Sequence, residues 1–300
     1  MMQLAPIVLF TYNRPVHTRQ TVEALLKNEY ASESDLIIFS DAPKNDVAEE
    51  GVRQTRIYLK EITGFRSIKI IERAENMGLA ANIIDGVTQV VNEYGRIIVL
   101  EDDLLTSPYF LKFMNEALTM YEHVEEVISV HGYVYPIKKQ LPENFFLIHT
   151  DSLGWGTWKN QWIYFNPSGK ELLNQLIQRK MLRNFNFDGS YDFAKMLRRQ
   201  IKGKNNSWAI RWYASAFLAR KLSLFPNKSL VFHNGGDNTG TNCVYEPWLD
   251  VELSQTPIKL VSQMRLEENI EIRHIYADFF FSSKASLSVR IKNKISRLFR

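Results

Sequence analysis

Four short apolar runs recur in the first hundred residues at a spacing of about 30 residues, and this period constrains the fold strongly. The runs cover residues 6–10, 36–39, 68–71 and 97–100. Between them, apolar residues recur every three or four positions, as in amphipathic helices, over residues 16–27, 47–62 and 79–94. Strands that alternate with helices predict an α/β fold with a mostly parallel central sheet and helices on both faces.

The pattern changes after residue 131. Residues 132–166 are rich in aromatic residues, glycine and turns. Helical patterns then return over residues 170–179, 191–202 and 208–221. We find no long linker or internal repeat, so we expect one domain built from two halves rather than two independent domains.

Composition sets limits on the class of protein. The single cysteine, Cys243, excludes an intramolecular disulfide and a zinc site built from cysteines. Residues 284–300 carry six Lys and Arg and no acid, which leaves 31 basic against 33 acidic residues elsewhere. That balance argues against a general nucleic-acid binder. We find no apolar stretch of about 18 residues, so we expect a cytoplasmic protein or one attached to a surface.

Polar residues follow each predicted strand at its carboxyl end, where ligands bind in parallel α/β sheets. The first strand is followed by Thr11, Asn13 and Arg14, and the second by Ser40 and Asp41. The fourth is followed by three consecutive acids, Glu101, Asp102 and Asp103. Three adjacent carboxylates repel one another and favour a hard divalent cation, Mg²⁺ or Mn²⁺. The alternative is a solvated acidic turn, or charges that favour the start of the next helix.

Four segments together resemble GT-A glycosyltransferases, in the expected order and spacing. They are PIVLFTYNRP, ENMGLAANIIDGV, IIVLEDDLLTSPYFLKF and SLGWGTWKNQW. The acidic segment particularly resembles N-acetylglucosaminyltransferase I and related bacterial, family-2-like polysaccharide enzymes. The resemblance covers about residues 4–240 and implies a nucleotide-sugar-binding half, 1–131, and an acceptor-side half, 132–240. A C-terminal extension, 241–300, follows.

The resemblance also implies which residues form the site. The implied donor-binding residues are Thr11, Asn13, Arg14, Asp41, Asn76, Gly78, Asn82, Glu101 and Asp102. Asp103 would be the direct metal ligand, and Asp102 would contact the ribose or a metal-bound water. Gly78 permits a tight turn whose following amides are open to an anion at a helix start. His233, in a Gly/Asn-rich segment, is a second metal ligand or an incidental residue of an exposed turn.

The implied activity is that of a metal-dependent, inverting hexosyl- or N-acetylhexosaminyltransferase. It would move a sugar from a nucleotide diphosphate sugar, with a UDP-sugar favoured, to a hydroxyl of a saccharide or lipid-linked saccharide acceptor. Surface polysaccharide or lipopolysaccharide synthesis is the implied setting, in the cytoplasm or peripherally on the inner face of the cytoplasmic membrane. No nucleic-acid partner is expected.

The general base is where the sequence departs from the resemblance. N-acetylglucosaminyltransferase I has an acidic pair between two tryptophans, whereas no acid lies between Trp208 and Trp212 here. Asp188, Asp192 and Asp237 remain as alternatives, each of which is otherwise a helix cap or a surface acid. Asp188 and Asp192 are our catalytic candidates, and at a spacing of four they would share a helix face.

Other residues leave alternatives open. Trp155, Trp158 and Trp162 have helical spacing and would either stack on sugar rings or fill the core. The missing acid keeps open a non-catalytic carbohydrate-binding or scaffolding protein on a transferase fold. A nucleotidyltransferase is the other rival, but those enzymes usually have a Gly-rich loop where residues 12–15 lie.

The C-terminal tail, 286–300, has the pattern of a basic amphipathic helix. Leu287, Ile291, Ile295 and Leu298 form one apolar stripe, surrounded by basic residues. Such a helix binds anionic membrane surfaces. The alternative is a helix docked on the body or a frayed end.

Overall fold

The computed structural model describes residues 3–237 and 249–283 of the chain. The strands in this part are β1 (Ile7–Thr11), β2 (Asp35–Ser40), β3 (Ser67–Glu72), β4 (Arg96–Glu101), β5 (Leu104–Thr106), β6 (Val127–His131), β7 (Asn144–Leu147), β8 (Trp155–Trp158), β9 (Leu222–Pro226) and β10 (Val231–His233). Eight of these described strands form one sheet in the order β3-β2-β1-β4-β8-β6-β9-β7, and β5 pairs with β10 separately.

Helices alternate with the first strands and then form the second half. They are α1 (Pro15–Leu26), α2 (Asp46–Leu59), α3 (Leu79–Tyr94), α4 (Phe110–Met120), α5 (Lys159–Trp162), α6 (Gly169–Gln178), α7 (Leu182–Phe185), α8 (Phe193–Ile201), α9 (Trp208–Leu218) and α10 (270–283). Short 3₁₀ turns lie at Ala31–Glu33 and Phe187–Gly189.

The first four strands of the large sheet are all parallel. β1 pairs with both β2 and β4, and β2 pairs with β3. β8 is antiparallel to both of its neighbours, β4 and β6, while β9 is parallel to β6 and antiparallel to β7. The predicted α/β fold class, a mostly parallel central sheet flanked by helices, is confirmed.

Both faces of β1 are covered, which explains its unbroken apolar run. Ile7 and Leu9 pack in one core with the inner faces of α1 and α4, including Val22. Val8 and Phe10 point the other way, into a core shared with α3 and α9. Alternate residues of one strand therefore support helices on opposite sides of the sheet.

A third core lies in the part of the chain that is predicted to form the acceptor-side half. α6 to α10 enclose an aromatic cluster that includes Phe185, Tyr213, Tyr276 and Phe280. Tyr276 and Phe280 belong to α10, so this part of the C-terminal extension packs against the acceptor-side half. The division of the chain at residue 240 stays a prediction.

The helical interpretation of the three tryptophans is wrong. Trp155 and Trp158 are the two ends of β8, and Trp162 ends α5. All three are buried, and Trp155 stacks on Trp208 of α9 with ring centroids 5.2 Å apart. Their indoles fill the core between the sheet and the helices, which excludes an exposed sugar platform for these rings.

The predicted amphipathic tail, 286–300, lies outside the described residues. In the part of the chain that is described, no helix is both long enough and apolar enough to cross a bilayer.

Candidate active site

The carboxyl ends of β1, β2 and β4 meet at one edge of the sheet, here called the donor edge. The strand register pairs Thr11 with Ser40 and Phe10 with Glu101. The buried Thr11 hydroxyl has no hydrogen-bond partner among the described residues. A buried hydroxyl of this kind is available to a bound molecule.

The acidic triplet forms the turn between β4 and β5. Thr21 of α1 donates a hydrogen bond to the Asp102 carbonyl oxygen (2.9 Å), and the Tyr12 amide donates to the Asp102 carboxylate (3.3 Å). Asp102 and Asp103 are both buried. This burial rules out the alternative of a solvated acidic turn.

The β5–β10 ladder brings a histidine to this turn. His233 pairs with Leu104, and its Nε2 lies 3.3 Å from Oδ2 of Asp103. The two residues are 130 positions apart in the chain, so the contact depends on the return of the chain along β10. The structure therefore brings together the two residues that the sequence predicts as metal ligands.

Arg14, immediately before α1, joins the acidic turn to the segment after β10. Its Nη1 donates to Asp103 Oδ2 over 2.7 Å. Its Nη2 lies 3.4 Å from both the Gly235 carbonyl oxygen and Asp237 Oδ1. Asp237 also contacts His17 Nε2 at 3.2 Å. Arg14 is thus at the donor edge, where the resemblance places it, with its guanidinium bound to protein carboxylates.

The three carboxyl groups of the turn differ in their affinity for protons. Burial raises the pKa of Glu101 to about 8, and the charges of Asp103 and Asp102 add to the effect. Burial and the Asp103 charge raise the pKa of Asp102 to about 7. Burial also acts on Asp103, but His233 and Arg14 outweigh it and lower its pKa. A cation bound at this turn would offset the repulsion among the three neighbouring carboxylates.

Asp41 organises the start of α3. Its carboxylate accepts hydrogen bonds from the Met77 and Gly78 amides, both at 2.9 Å, and from Asn76 Nδ2 at 3.2 Å. Gly78 has a φ of 72°, which favours glycine over residues with a side chain. Asp41, Asn76 and Gly78 are therefore adjacent, but the carboxylate of Asp41 occupies two of the amides at this turn.

Asn82 and Asn13 have supporting contacts. The Asn82 side chain accepts a hydrogen bond from Arg73 Nε (2.9 Å). Nη2 of the same arginine pairs with Asp85. The Asn13 backbone lies against Gly51 of α2, where a Cβ would come within 2.6 Å of the Asn13 carbonyl oxygen. These contacts hold the two loops of the donor edge against the neighbouring helices.

The metal-ligand atoms at the turn, a carboxylate and an imidazole nitrogen, fit Mn²⁺ or Mg²⁺. In the described residues, no three His, Cys, Asp or Glu side chains form a group that could hold a metal alone. However, such ions are often held by one or two protein side chains together with substrate phosphates. At Gly235, a Cβ would lie 2.2 Å from Asp103 Oδ2 and 2.7 Å from His233 Nε2. The backbone at Gly235 therefore approaches the two predicted ligands more closely than a residue with a Cβ could.

Asp188 and Asp192 do not share a helix, so that part of the prediction is wrong. Asp188 lies in the Phe187–Gly189 turn with a left-handed φ of 57°, which interrupts the helical path. Its Oδ2 lies 3.5 Å from Arg273 Nε. Asp192 caps α8 by accepting the Lys195 amide at 2.9 Å. Structural roles thus account for both carboxylates, and their catalytic role stays a prediction.

Asp151 is an acid at this edge that the sequence analysis did not select. β8 runs antiparallel to β4, and Trp155 pairs with Val99. The residues just before β8 therefore lie at the same edge as those just after β4. Asp151 accepts the Ser152 and Leu153 amides at 2.7 and 3.1 Å.

Burial raises the pKa of Asp151, partly offset by those amides and by a hydrogen bond from Tyr135, and the charge of His233 also acts on it. A sequence signal for Asp151 exists only once the direction of β8 is known. The acid precedes its strand, whereas ligand residues in the parallel part of the sheet follow theirs.

Several solved structures resemble this chain, with low sequence identity. Staphylococcus aureus TarS 1–349 in complex with UDP-GlcNAc shares 12% identity, with 84% of this chain and 68% of that chain covered and a TM-score of 0.47. The Pyrobaculum calidifontis mannosyltransferase PcManGT, in complex with GDP-Man and Mn²⁺, shares 12% identity over 58% and 47%, with a TM-score of 0.35. Mouse xyloside xylosyltransferase 1 shares 12% over 71% and 81%, with a TM-score of 0.37.

The chain spans 61% of another TarS 1–349 structure, at 11% identity and a TM-score of 0.46, and 28% of a longer TarS structure. No curated protein gives a significant match to the sequence. The sequence model of one protein family, however, matches residues 7–185, which include the four parallel strands, the acidic turn and Asp151. The chain therefore belongs to glycosyl transferase family 2.

Proposed function

We propose that the chain is a metal-dependent, inverting glycosyltransferase that uses a nucleotide diphosphate sugar, with a UDP-sugar favoured. The acceptor is a hydroxyl of a saccharide or lipid-linked saccharide, and the pathway is synthesis of a surface polysaccharide or lipopolysaccharide. The transferred sugar is a hexose or an N-acetylhexosamine. The proposed location is cytoplasmic, with peripheral attachment through residues 286–300.

One observation carries this proposal: the buried acidic turn beside His233 at the donor edge. Asp103 and His233 converge within 3.3 Å, and the backbone at Gly235 packs closely against both. The family match supplies the reaction class. Mn²⁺ or Mg²⁺ held by Asp103 and His233 would neutralise the charge that develops on the leaving diphosphate.

The residues around the turn have complementary roles in this proposal. The Arg14 guanidinium forks onto phosphate oxygens of the donor, a geometry that suits arginine better than lysine. The unpartnered Thr11 hydroxyl binds the donor at the end of β1. Asp41 and Asn76 shape the loop that contacts the base or ribose.

For the general base we add Asp151 to Asp188, Asp192 and Asp237. Asp151 shares the donor edge with the acidic turn, and a raised pKa makes its carboxylate a stronger base. In this role its carboxylate takes the proton of the acceptor hydroxyl as that oxygen attacks the anomeric carbon. The attack from the face opposite the leaving diphosphate inverts the configuration.

One observation favours a second function, a non-catalytic carbohydrate-binding protein. Arg211, not an acid, lies between Trp208 and Trp212, and its guanidinium donates to the Ser207 and Pro167 carbonyl oxygens. A scaffold of this kind would bind a nucleotide sugar or saccharide without turning it over. Donor hydrolysis in the presence of Mn²⁺ distinguishes the two functions.

The test begins with a thermal-shift screen of nucleotides and nucleotide sugars, with and without Mn²⁺, because a ligand that binds the native state raises its apparent stability. Hydrolysis and transfer of the best donor are then measured, and NMR of the product gives the anomeric configuration. A donor that binds with Mn²⁺ but is never hydrolysed or transferred supports the scaffold. Absence of any nucleotide-sugar binding contradicts the transferase.

A matched glycine pair tests the space beside the metal ligands. Gly235→Ala adds only a methyl group beside Asp103 and His233. We expect it to abolish the Mn²⁺-dependent part of donor binding. Gly203→Ala is the control, since a Cβ there meets nothing within 4 Å, although its φ of 65° costs some stability. Equal Mn²⁺ dependence in both variants would contradict the proposed site.

A further inference from the structure

The helical layer formed by α6, α7 and α8 carries a concentration of positive charge. Between Lys170 and Lys204 the sequence has nine Lys and Arg residues against three Asp and Glu residues. The nine, here called the basic face, are Lys170, Arg179, Lys180, Arg183, Lys195, Arg198, Arg199, Lys202 and Lys204. Outside this segment and residues 284–300, the chain has 22 basic and 30 acidic residues. The basic face is therefore opposite in sign to the rest of the body.

The charges of the basic face are exposed and lack acidic partners. All nine residues are exposed, and none forms an ion pair with another described residue. The acids of the segment are engaged elsewhere. Glu171 accepts from Asn166, Asp188 pairs with Arg273, and Asp192 caps α8.

The three helices form a contiguous surface. A Cβ on Gly169, at the start of α6, would lie 2.2 Å from Gln200 Oε1, so this end of α6 touches the end of α8. Phe185, which ends α7, packs on Phe193 at the start of α8 with ring centroids 6.2 Å apart. The basic residues therefore belong to neighbouring elements of one layer.

The arrangement on α8 works against the stability of the isolated helix. Lys195 and Arg199 are four residues apart, as are Arg198 and Lys202, and like charges at this spacing repel. The helix macrodipole favours Arg198 and Arg199 in the last turn. It also favours Arg183 in the last turn of α7, but it does not account for Lys170 or Lys195, which lie in the first turns of α6 and α8. An anionic partner would relieve the repulsion.

Exposed aliphatic side chains distinguish a lipid surface from a soluble polyanion. Ile177 on α6 is 49% exposed, and it lies two turns after Lys170 on the same side of the helix. Ile201 at the end of α8 is 38% exposed. Basic residues mixed with apolar ones suit a membrane interface, where headgroups meet acyl chains.

The C-terminal residues continue from the same region. Phe280, in the last described turns of α10, packs against Tyr191 and Phe193 at the start of α8, with ring centroids 5.5 and 5.8 Å apart. Residues 284–300 follow this point and carry six basic residues and no acid. The described part of the chain therefore ends close to the start of α8.

We propose that the basic face binds an anionic lipid surface. Electrostatic attraction to the headgroups supplies the affinity, and Ile177 and Ile201 contact the apolar boundary. This inference goes beyond the proposed function and does not depend on it. It assigns membrane binding to the folded acceptor-side half as well as to the tail.

The test measures sedimentation of the full chain with vesicles of phosphatidylcholine containing phosphatidylglycerol. The variant combines Arg198→Gln, Arg199→Gln and Lys202→Gln, which preserves helix-forming side chains. Each basic residue near such a surface contributes about a fivefold change in affinity, so we expect binding about 100-fold weaker. The thermal midpoint should stay equal or rise, because repulsion along α8 is removed.

A matched control removes the same charge elsewhere. It combines Lys27→Gln, Lys69→Gln and Lys228→Gln, all exposed residues outside the basic face. We expect vesicle binding close to that of the unaltered chain. An equal loss in the control and the α8 variant would show that only net charge matters and would overturn the proposal.

Further experiments measure the contribution of the tail to vesicle binding and identify the kind of anionic partner. A chain without residues 286–300 should retain weaker vesicle binding, which the α8 substitutions should reduce again. Binding should fall as salt rises, because ions screen exposed charges. The proposal fails if the α8 variant binds vesicles as tightly as the unaltered chain. It also fails if the unaltered chain binds heparin or RNA but no anionic vesicle.

Discussion

In the half predicted to bind the nucleotide sugar, the predicted ligand-binding side chains lie where strands end, whereas in the predicted acceptor-side half the polar side chains mostly cap helices or face solvent. Thr11, Glu101 and Asp103 reach one edge because their strands are parallel and adjacent. Asp188 and Asp192 lie around helix ends, where Arg273 and a backbone amide bind them. The same residue type therefore predicts a ligand site in one half and local structure in the other.

The difference arises from how each half forms its backbone hydrogen bonds. Parallel strands end without regular partners for the next residues, so polar groups there are available to a ligand. Helix starts leave free amides that an aspartate satisfies at once, as Asp192 does for Lys195. A carboxylate in the acceptor-side half thus needs a place at the donor edge to be a strong catalytic candidate, and Asp151 has one.

The largest expected effect is at Asp103. Asp103→Ala removes the proposed metal ligand together with its contacts to Arg14 and His233. A metal ion contributes several kcal/mol to stabilisation of the transition state, so we expect transfer to fall by about 10³-fold or more. The fold should persist, because the loss also relieves repulsion with Glu101 and Asp102.

The control is Asp278→Ala, at an exposed carboxylate of α10. Its transfer rate and thermal midpoint should match those of the unaltered chain. Mn²⁺-dependent transfer that continues unchanged in Asp103→Ala would remove the main contrast between the two halves.

The next effect tests the general base within the acceptor-side half. Asp151→Asn should lower the transfer rate by about 10²-fold or more with donor binding nearly intact, as expected for loss of a general base. Asp192→Asn should transfer normally, because asparagine also caps helices well. Asp188→Asn should change stability through Arg273 more than rate. Rates at saturating donor and donor affinities separate these outcomes.

If Asp188→Asn or Asp192→Asn loses that rate while Asp151→Asn does not, the sequence-based choice of Asp188 and Asp192 is correct and the argument from strand direction is wrong. Normal transfer in all three variants would point to Asp237, which contacts Arg14 and His17.

The sequence was sufficient for the four parallel strands, most helices and the donor edge, because hydrophobic period and strand polarity are local signals. The three acids directly follow the strand at Ile97–Leu100. In a parallel sheet this order alone places them at the carboxyl edge. The sequence analysis named His233 and Asp103 as metal ligands, but it did not predict their contact, because that contact depends on the β5–β10 ladder. The left-handed φ at Asp188 and the antiparallel direction of β8 depend on tertiary packing. For that reason sequence spacing misplaced Asp188 and overlooked Asp151.

A smaller effect concerns the dry interior of the acceptor-side half. His149 is surrounded by Phe187, Tyr213 and Phe225, and both ring nitrogens lack hydrogen-bond partners among the described residues. Burial, with the charge of Arg273, lowers the pKa of His149 to about 3. The folded state therefore excludes a proton that the unfolded chain binds below about pH 6.5.

The sign follows from that depressed pKa. Stability linked to His149 is complete above pH 6.5 and is lost as the pH falls toward 3. His149→Leu should reduce the loss of unfolding free energy between pH 7.5 and 4.5 by about 2–3 kcal/mol. Urea unfolding at both pH values measures this. The control, His123→Leu, changes an exposed ring. An equal pH dependence in the two variants would mean that the interior around His149 is hydrated.

The smallest expected effect separates the two roles of Arg14 at the donor edge. Without donor, its guanidinium binds Asp103 Oδ2 at 2.7 Å, the oxygen that also faces His233. A cation and Arg14 therefore compete for this carboxylate, and a donor diphosphate would give Arg14 a new partner. Arg14→Gln should tighten binding of Mn²⁺ alone about tenfold, the value of one charge-assisted hydrogen bond. The same variant should weaken UDP-sugar binding.

Mn²⁺ binding is measured by electron paramagnetic resonance and donor binding by calorimetry, so neither result depends on turnover. Arg19→Gln, on the exposed surface of α1, is the control and should change neither affinity. If Arg14→Gln weakens Mn²⁺ and donor together, Arg14 supports the metal ligands instead of competing with the ion. The donor edge would then be a fixed site like the caps of the acceptor-side half, because its side chains would keep the same partners with and without ligand.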